Sequence, residues 1–218
     1  MYDHVLSCHS SRVLVLMSLP NIVITSPHAK CDLSHPKRAC DLAAALAGQM
    51  MAEEAEKYEL NYVYFPGNVY RAEHDLNRKK SRKTEYRQKL LRQIKKLSKS
   101  RSVLLDIHSF PNYYMDEAGD INFFRKGETP PDIVLIQGPL NLYENRQLTA
   151  LLYSVLSKRG IRVKILDGIS VNDILNQAAE NRLPGILIEY NESFNRRPKL
   201  LAEICKIIIE SIIHVSSE

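Results

Sequence analysis

The chain has 218 residues, enough to bury a sizeable core in one domain, and 44% hydrophobic with 25% charged residues is ordinary globular composition. That balance excludes a disordered or fibrous protein, and no apolar run approaches the roughly 18 to 20 residues that span a bilayer. The net charge of +5 is concentrated between Arg78 and Arg101 rather than spread along the chain.

In chain order, residues 1–20 read as an irregular N-terminal extension, with Met17 as an alternative start. The apolar stretch from Val13 to Leu19 is short, and no run of basic residues precedes it, which argues against a signal peptide. NIVIT (Asn21 to Thr25) is a first buried strand. A helix is predicted from about Pro36 to Lys57, proline suiting its first turn, and a strand near Asn61 to Phe65. A polar loop follows, then the basic stretch.

In that stretch Tyr86, Leu90, Leu91, Ile94 and Leu97 recur at helical spacing, so the basic residues are expected to fill the solvated face. Nucleic-acid binding is the competing reading; no binding motif accompanies the charge, and no nucleic-acid partner is expected. The strand SVLLDI (Ser102 to Ile107) ends at His108. Residues 110–131 read as an insertion, a small hairpin or lid. Then come a strand Asp132 to Gly138, a helix Tyr143 to Lys158, the strand IRVKIL, a helix Val171 to Asn181, the strand GILIEY (Gly185 to Tyr190) and a final helix Pro198 to His214. Strands alternating with helices predict a three-layer α/β sandwich with a mainly parallel mixed sheet, one domain over residues 21–218.

Cys8, Cys31, Cys40 and Cys205 show no C-x-x-C spacing and read as reduced thiols of a cytoplasmic protein. No membrane association is expected.

In an open parallel sheet, ligands bind beyond the carboxyl ends of the strands. There the chain places ionisable residues: NIVITSPH ends on His28, SVLLDIH on His108, and GILIE on Glu189. Singly, each has an ordinary structural explanation, a hydrogen-bonded histidine or an ion-paired glutamate. Burying three such groups together is costly unless a metal compensates them. Two imidazoles and a carboxylate suit zinc, with one position left for water. For the carboxylate, Asp41 faces Ala44, Ala45 and Gly48 on an apolar helix, and Asp32 lies four residues after His28; Cys31 and His35 are also within reach. Asp106 is expected to point to the opposite face of its strand from His108 and to take no part. In the loop RAEHDLNRKK, Arg71, Asn77 and Arg78 could grip a substrate carboxylate, with Asp75 orienting an arginine; a plain solvated loop is the alternative.

SPHA, RAEHDLNR, LLDIHSFP and ILIEYN, in that order, resemble the motifs of the N-formylglutamate amidohydrolase family. The resemblance implies a phosphorylase/hydrolase-like α/β fold related to zinc carboxypeptidases. ILIEYNESFN followed by a helix also resembles the end of zinc-dependent N-acetylmuramoyl-L-alanine amidases, where a strand-end glutamate assists the water; Glu189 matches it. In the amidase pattern a carboxylate opens the first helix, which implies Asp41 rather than Asp32 as third ligand. Where the formylglutamate pattern has a Gly-rich Pro-Tyr loop, this chain has LDGISVND, a departure that bears on the substrate.

Together these imply a zinc-dependent amidohydrolase of an N-acyl amino acid or peptide-like substrate carrying a carboxylate. Zn2+ would be held by His28, Asp41 and His108, with Glu189 as general base and Arg71, Asn77 and Arg78 binding substrate. Alternatives are a peptidoglycan amidase or carboxypeptidase-like peptidase, and a binding protein on the same fold without turnover.

Overall fold

Short aliphatic and β-branched runs, each closed by polar or turn residues, build the strands. The computed structural model describes residues 21–32, 40–97, 101–115, 122–138, 143–167 and 172–217. Its strands are β1 (Asn21–Ser26), β2 (Asn61–Pro66), β3 (Ser102–Phe110), β4 (Ile133–Gln137), β5 (Val163–Leu166) and β6 (Gly185–Asn191). They form one sheet in the order β2-β1-β3-β6-β4-β5. The first four in that order run parallel, β4 pairs antiparallel with β6, and β5 runs parallel to β4.

Among the described residues, five α-helices cover the sheet: α1 (Leu42–Lys57), α2 (Glu85–Leu97), α3 (Tyr143–Ser157), α4 (Asp173–Glu180) and α5 (Pro198–Ser217). α1, α3 and α5 lie on one face, where Met51, Leu152 and Ile208 share a core with Ile24, Leu105, Ile107 and Ile188. α2 and α4 lie on the other, where Leu90, Ile94 and Ile174 pack with Val23, Leu104 and Leu187. This is the expected three-layer α/β sandwich with a mainly parallel mixed sheet. Among the described residues, no helix is long and apolar enough to cross a membrane.

Several local expectations need correction. α1 begins at Leu42 rather than Pro36, which lies outside the described residues, as do residues 1–20. β3 does not stop at His108 but pairs with β6 as far as Phe110, so His108 is an in-sheet residue. Asp106 shares a face with His108, because side chains alternate with period two and residues i and i+2 point the same way. Cys31 and Cys40 are not free thiols: they form a disulfide, with Cα atoms 5.0 Å apart. The turn after β1 meets the start of α1, where Asp41 N–H donates to the His28 carbonyl (3.2 Å), and that meeting brings the cysteines together. Cys205 is a buried free thiol, and Cys8 lies outside the described residues. Finally, Arg87 on the basic helix is fully buried instead of solvated.

Two glycines permit the close approach of elements around the end of β1. Gly67 donates its N–H to the Ser26 carbonyl (2.8 Å), and a Cβ there would collide with the Pro27 carbonyl oxygen. A Cβ on Gly48 of α1 would collide with the Ser26 hydroxyl. Both glycines therefore allow the turn that carries His28 to seat against its neighbours.

Candidate metal centre

The carboxyl ends of β1, β3 and β6 lie close together in the sheet, and the polar residues gather there. Thr25 is opposite Asp106 across β1 and β3, and His108 is opposite Glu189 across β3 and β6. His28 sits in the turn closed by the Ala29 N–H to Ser26 carbonyl hydrogen bond (3.1 Å). Asp41 immediately precedes α1 yet makes no side-chain cap to the helix. Aspartate is a favoured N-cap, and forgoing that stabilisation shows its carboxylate is committed elsewhere.

That commitment is to the two histidines. Asp41 Oδ2 lies 3.1 Å from His28 Nδ1 and 3.4 Å from His108 Nδ1. The other nitrogen of each ring meets a different carboxylate: His28 Nε2 is 2.9 Å from Asp75 Oδ1, and His108 Nε2 is 3.1 Å from Asp106 Oδ2. His28, Asp41 and His108 are all buried, and their ligand atoms lie within 4.8 Å of one another.

This arrangement fits a cation for a reason of proton counting. A neutral imidazole has one N–H and so can donate to only one of its two carboxylates. With Nε2–H donated to Asp75 and to Asp106, the Nδ1 lone pairs of both rings face Asp41 Oδ2. Three electron-rich atoms then converge in a buried space, an arrangement that a bound cation would compensate. Outer carboxylates that fix the tautomer and orientation of ligand histidines are a recurring feature of metal sites. Two nitrogens and one oxygen are a donor set that suits zinc.

The charges respond to one another. Burial pulls the His108 imidazole towards its neutral form, but Asp106, Asp41 and Glu189 outweigh it and hold its pKa well above the ordinary histidine value. Burial acts to raise Asp41, Asp75 and Asp106, yet their histidine partners prevail and all three carboxyls stay below the usual range. Glu189 goes the other way: burial pushes its carboxyl up to about 7, with His108 opposing and Asp41 adding to the rise.

A cleft of about 430 Å³, including its open mouth, is lined by His28, Arg71, Asn77, Arg78, His108 and Glu189. Asp41 joins them through His28 and His108, so the seven residues expected to bind metal, activate water or bind substrate gather at one place. Arg71 and Arg78 are about half exposed on the rim, Arg71 Nη1 lying 3.3 Å from Asp41 Oδ1 and Arg78 Nε 2.9 Å from Asp75 Oδ2. Asn77 Nδ2 is 3.5 Å from His108 Nε2, and its buried Oδ1 finds no partner among the described residues. Asp75 orients Arg78, as the sequence suggests, and holds His28 as well. Phe123 brings the 110–131 segment to the cleft; residues 116–121 of that segment lie outside the described residues, as does His35.

Three contributors escape sequence reading. Asp106 is held by Thr25 Oγ1 (2.5 Å) and by Asn172 Nδ2 (2.6 Å), so that its carboxylate is fixed before it meets His108. The period-two rule was the available signal for Asp106. Asn172, inside LDGISVND, caps α4 by accepting from Leu175 N–H (2.8 Å) while donating to Asp106. Nothing local to Thr25 or Asn172 marks either role.

No protein-family profile matches the chain, and no curated protein matches it. Among solved structures, the chain is similar to a gene product of Agrobacterium tumefaciens (TM-score 0.60, 12% identity, over 92% of this chain and 90% of that one). It is also similar to N-formylglutamate amidohydrolase from Ralstonia eutropha JMP134 (TM-score 0.56, 14% identity, 92% and 94% covered). A third similar structure is an N-acetylmuramoyl-L-alanine amidase of Nostoc punctiforme (TM-score 0.51, 12% identity, 91% and 95% covered). The fold is therefore shared with both of the families that the motifs resemble.

Proposed function

We propose that the chain is a zinc-dependent hydrolase of amide bonds, acting on an N-acyl amino acid or peptide-like substrate that bears a carboxylate. One observation carries the reading: two buried imidazoles, each held at Nε2 by its own carboxylate, turn Nδ1 towards Asp41 beside Glu189 at the floor of a cleft. The fold held in common with enzymes that cleave amides supports the reaction class.

When bound by His28, Asp41 and His108, zinc supplies a Lewis acid that polarises the scissile carbonyl and acidifies a water towards a pKa of about 7. Glu189, opposite His108 across the sheet and lining the cleft, would accept the proton of the attacking water and release it. The water oxygen bonds to the carbonyl carbon, the C–N bond breaks, and Glu189 returns the proton to the leaving amine. Arg71 and Arg78 supply guanidinium donors for a substrate carboxylate at the rim. The unpartnered Oδ1 of Asn77 can accept from a substrate N–H.

A cytoplasmic setting loses the support of reduced cysteines, since Cys31 and Cys40 are paired; the disulfide favours an oxidising compartment.

The deciding experiment strips the protein with a chelator, reloads it with zinc, and assays it against N-acyl amino acids, short peptides and muropeptides. The expected result is one zinc per chain and hydrolysis confined to the loaded protein. Turnover of muropeptides alone would move the substrate to peptidoglycan. A chain that takes up no zinc and cleaves nothing would be a binding protein on this fold, and the proposal would fall.

A further inference from the structure

We propose that Arg87 is a positioning residue for the metal centre, holding in place the loop that supplies the outer carboxylate of His28 and the helix start whose Asn172 holds the outer carboxylate of His108. The inference rests on the metal-centre reading above. It starts from an anomaly in the charge pattern: of the basic residues on α2, Arg87 is the one in the core, with no exposed surface. A buried guanidinium is costly unless its donors are used.

Its two Nη groups are used on two segments, while its buried Nε–H finds no partner among the described residues. Arg87 Nη1 donates to the Leu76 carbonyl (2.8 Å), between Asp75 and Asn77. Arg87 Nη2 donates to Asp173 through both its carbonyl (3.2 Å) and Oδ2 (2.9 Å), and to Gln177 Oε1. The loop is pinned on either side of Leu76 as well. The Asp75 carbonyl accepts from Ser81 Oγ (2.5 Å), and the Asn77 carbonyl accepts from Asp173 N–H (3.1 Å). Three successive carbonyls are thereby tied down, while the Asp75 side chain reaches His28.

On the other side, Asp173 is the first residue of α4 and follows Asn172 directly. Asn172 holds Asp106, and Asp106 holds His108. Arg87 thus bonds the residue next to Asp75 and the residue next to the Asn172 that holds Asp106, and it touches neither histidine. A guanidinium serves here because its planar fork can reach a loop carbonyl and a helix-start carboxylate at once.

The test compares Arg87→Met with Ile94→Ala, a substitution in the fully buried core of the same helix. Zinc affinity is measured by chelator competition, and the imidazole 15N–1H signals are recorded on metal-free protein. Arg87→Met should weaken zinc binding about 10- to 100-fold, the usual range for outer-shell changes, and should shift the signals of His28 and His108 together. Ile94→Ala should lower Tm while leaving affinity and both signals unchanged. Wild-type affinity with unshifted signals in Arg87→Met would overturn the proposal. If Arg87→Met does not fold, the isosteric Asp173→Asn decides on the same two readouts, and wild-type values there also overturn it. A wild-type protein that binds no zinc would overturn the metal centre itself, and this role with it.

Discussion

Neighbouring residues of β3 and β6 serve two different ends because they point to opposite faces of the sheet. Leu105 and Ile107 face α1, α3 and α5 in a largely apolar layer, as Ile188 does on β6. Asp106, His108 and Glu189 alternate with them and face the side of α2 and α4, where Leu104 and Leu187 are the apolar neighbours. The apolar face gains its stability mainly from burial and tolerates approximate partners. On the polar face every buried charge must meet a counter-charge, so its geometry has to be set by bonds to loops and helix ends. Stability and chemistry should therefore separate residue by residue along a single strand.

The largest test of that separation is Glu189→Gln. Glutamine keeps the shape but cannot take a proton, so turnover should fall by about 10²- to 10⁴-fold, the typical contribution of general acid–base catalysis. Zinc content and Tm should stay near wild type. Steady-state kinetics with metal analysis decides it; retained turnover would remove Glu189 from water activation and leave the polar face without a base.

On the other face, Leu105→Ala should cost about 2–5 kcal/mol of stability, the range for truncating a buried leucine. Urea denaturation of the metal-free protein would measure it. Zinc affinity of the folded fraction should not change, and a large loss of affinity would show that the two faces are mechanically coupled rather than independent.

Asp106→Asn tests the polar face behind its ligands. Asp106 accepts from His108, Thr25 and Asn172, and an amide has only one oxygen with which to do so. Zinc affinity should drop about 10- to 100-fold. Loss of fold without loss of affinity would make Asp106 a core residue after all.

The contrast between the faces also explains what the sequence discloses. The strands of the apolar face are legible as short aliphatic runs, and their alternation with helices is enough for the three-layer sandwich. His28, His108 and Glu189 stand out because they are ionisable groups at the ends of such runs. Asp41 does not stand out: residue chemistry leaves it level with Asp32, and only resemblance to the amidases separates them. Asp106 was within reach of the period-two rule, which puts it beside His108. Arg87 is hidden for a different reason. Nothing in a basic helix tells which of its cations turns inward, because that depends on where the carbonyl of Leu76 and the carboxylate of Asp173 arrive in space. The Cys31–Cys40 pairing is likewise a product of two chain segments meeting at the site.

The smallest expected effect belongs to the rim, where Arg78→Ala asks whether the polar face also chooses its substrate. A charge-assisted hydrogen bond contributes about 1.5–3 kcal/mol, and a half-exposed arginine belongs at the low end. KM for carboxylate-bearing substrates should then rise about tenfold with kcat little changed, the pattern of lost ground-state binding. A neutral analogue should be cleaved as before. Arg78 also donates to Asp75 (2.9 Å), which holds His28, so a disturbed ligand would raise KM as well. Zinc affinity separates the two causes. Asp75 keeps its hydrogen bond from Asn77 N–H (3.0 Å), so affinity should survive the substitution. Equal losses on acidic and neutral substrates, or a matching loss of zinc, would make Arg78 a support of His28 and leave Arg71 to meet the carboxylate.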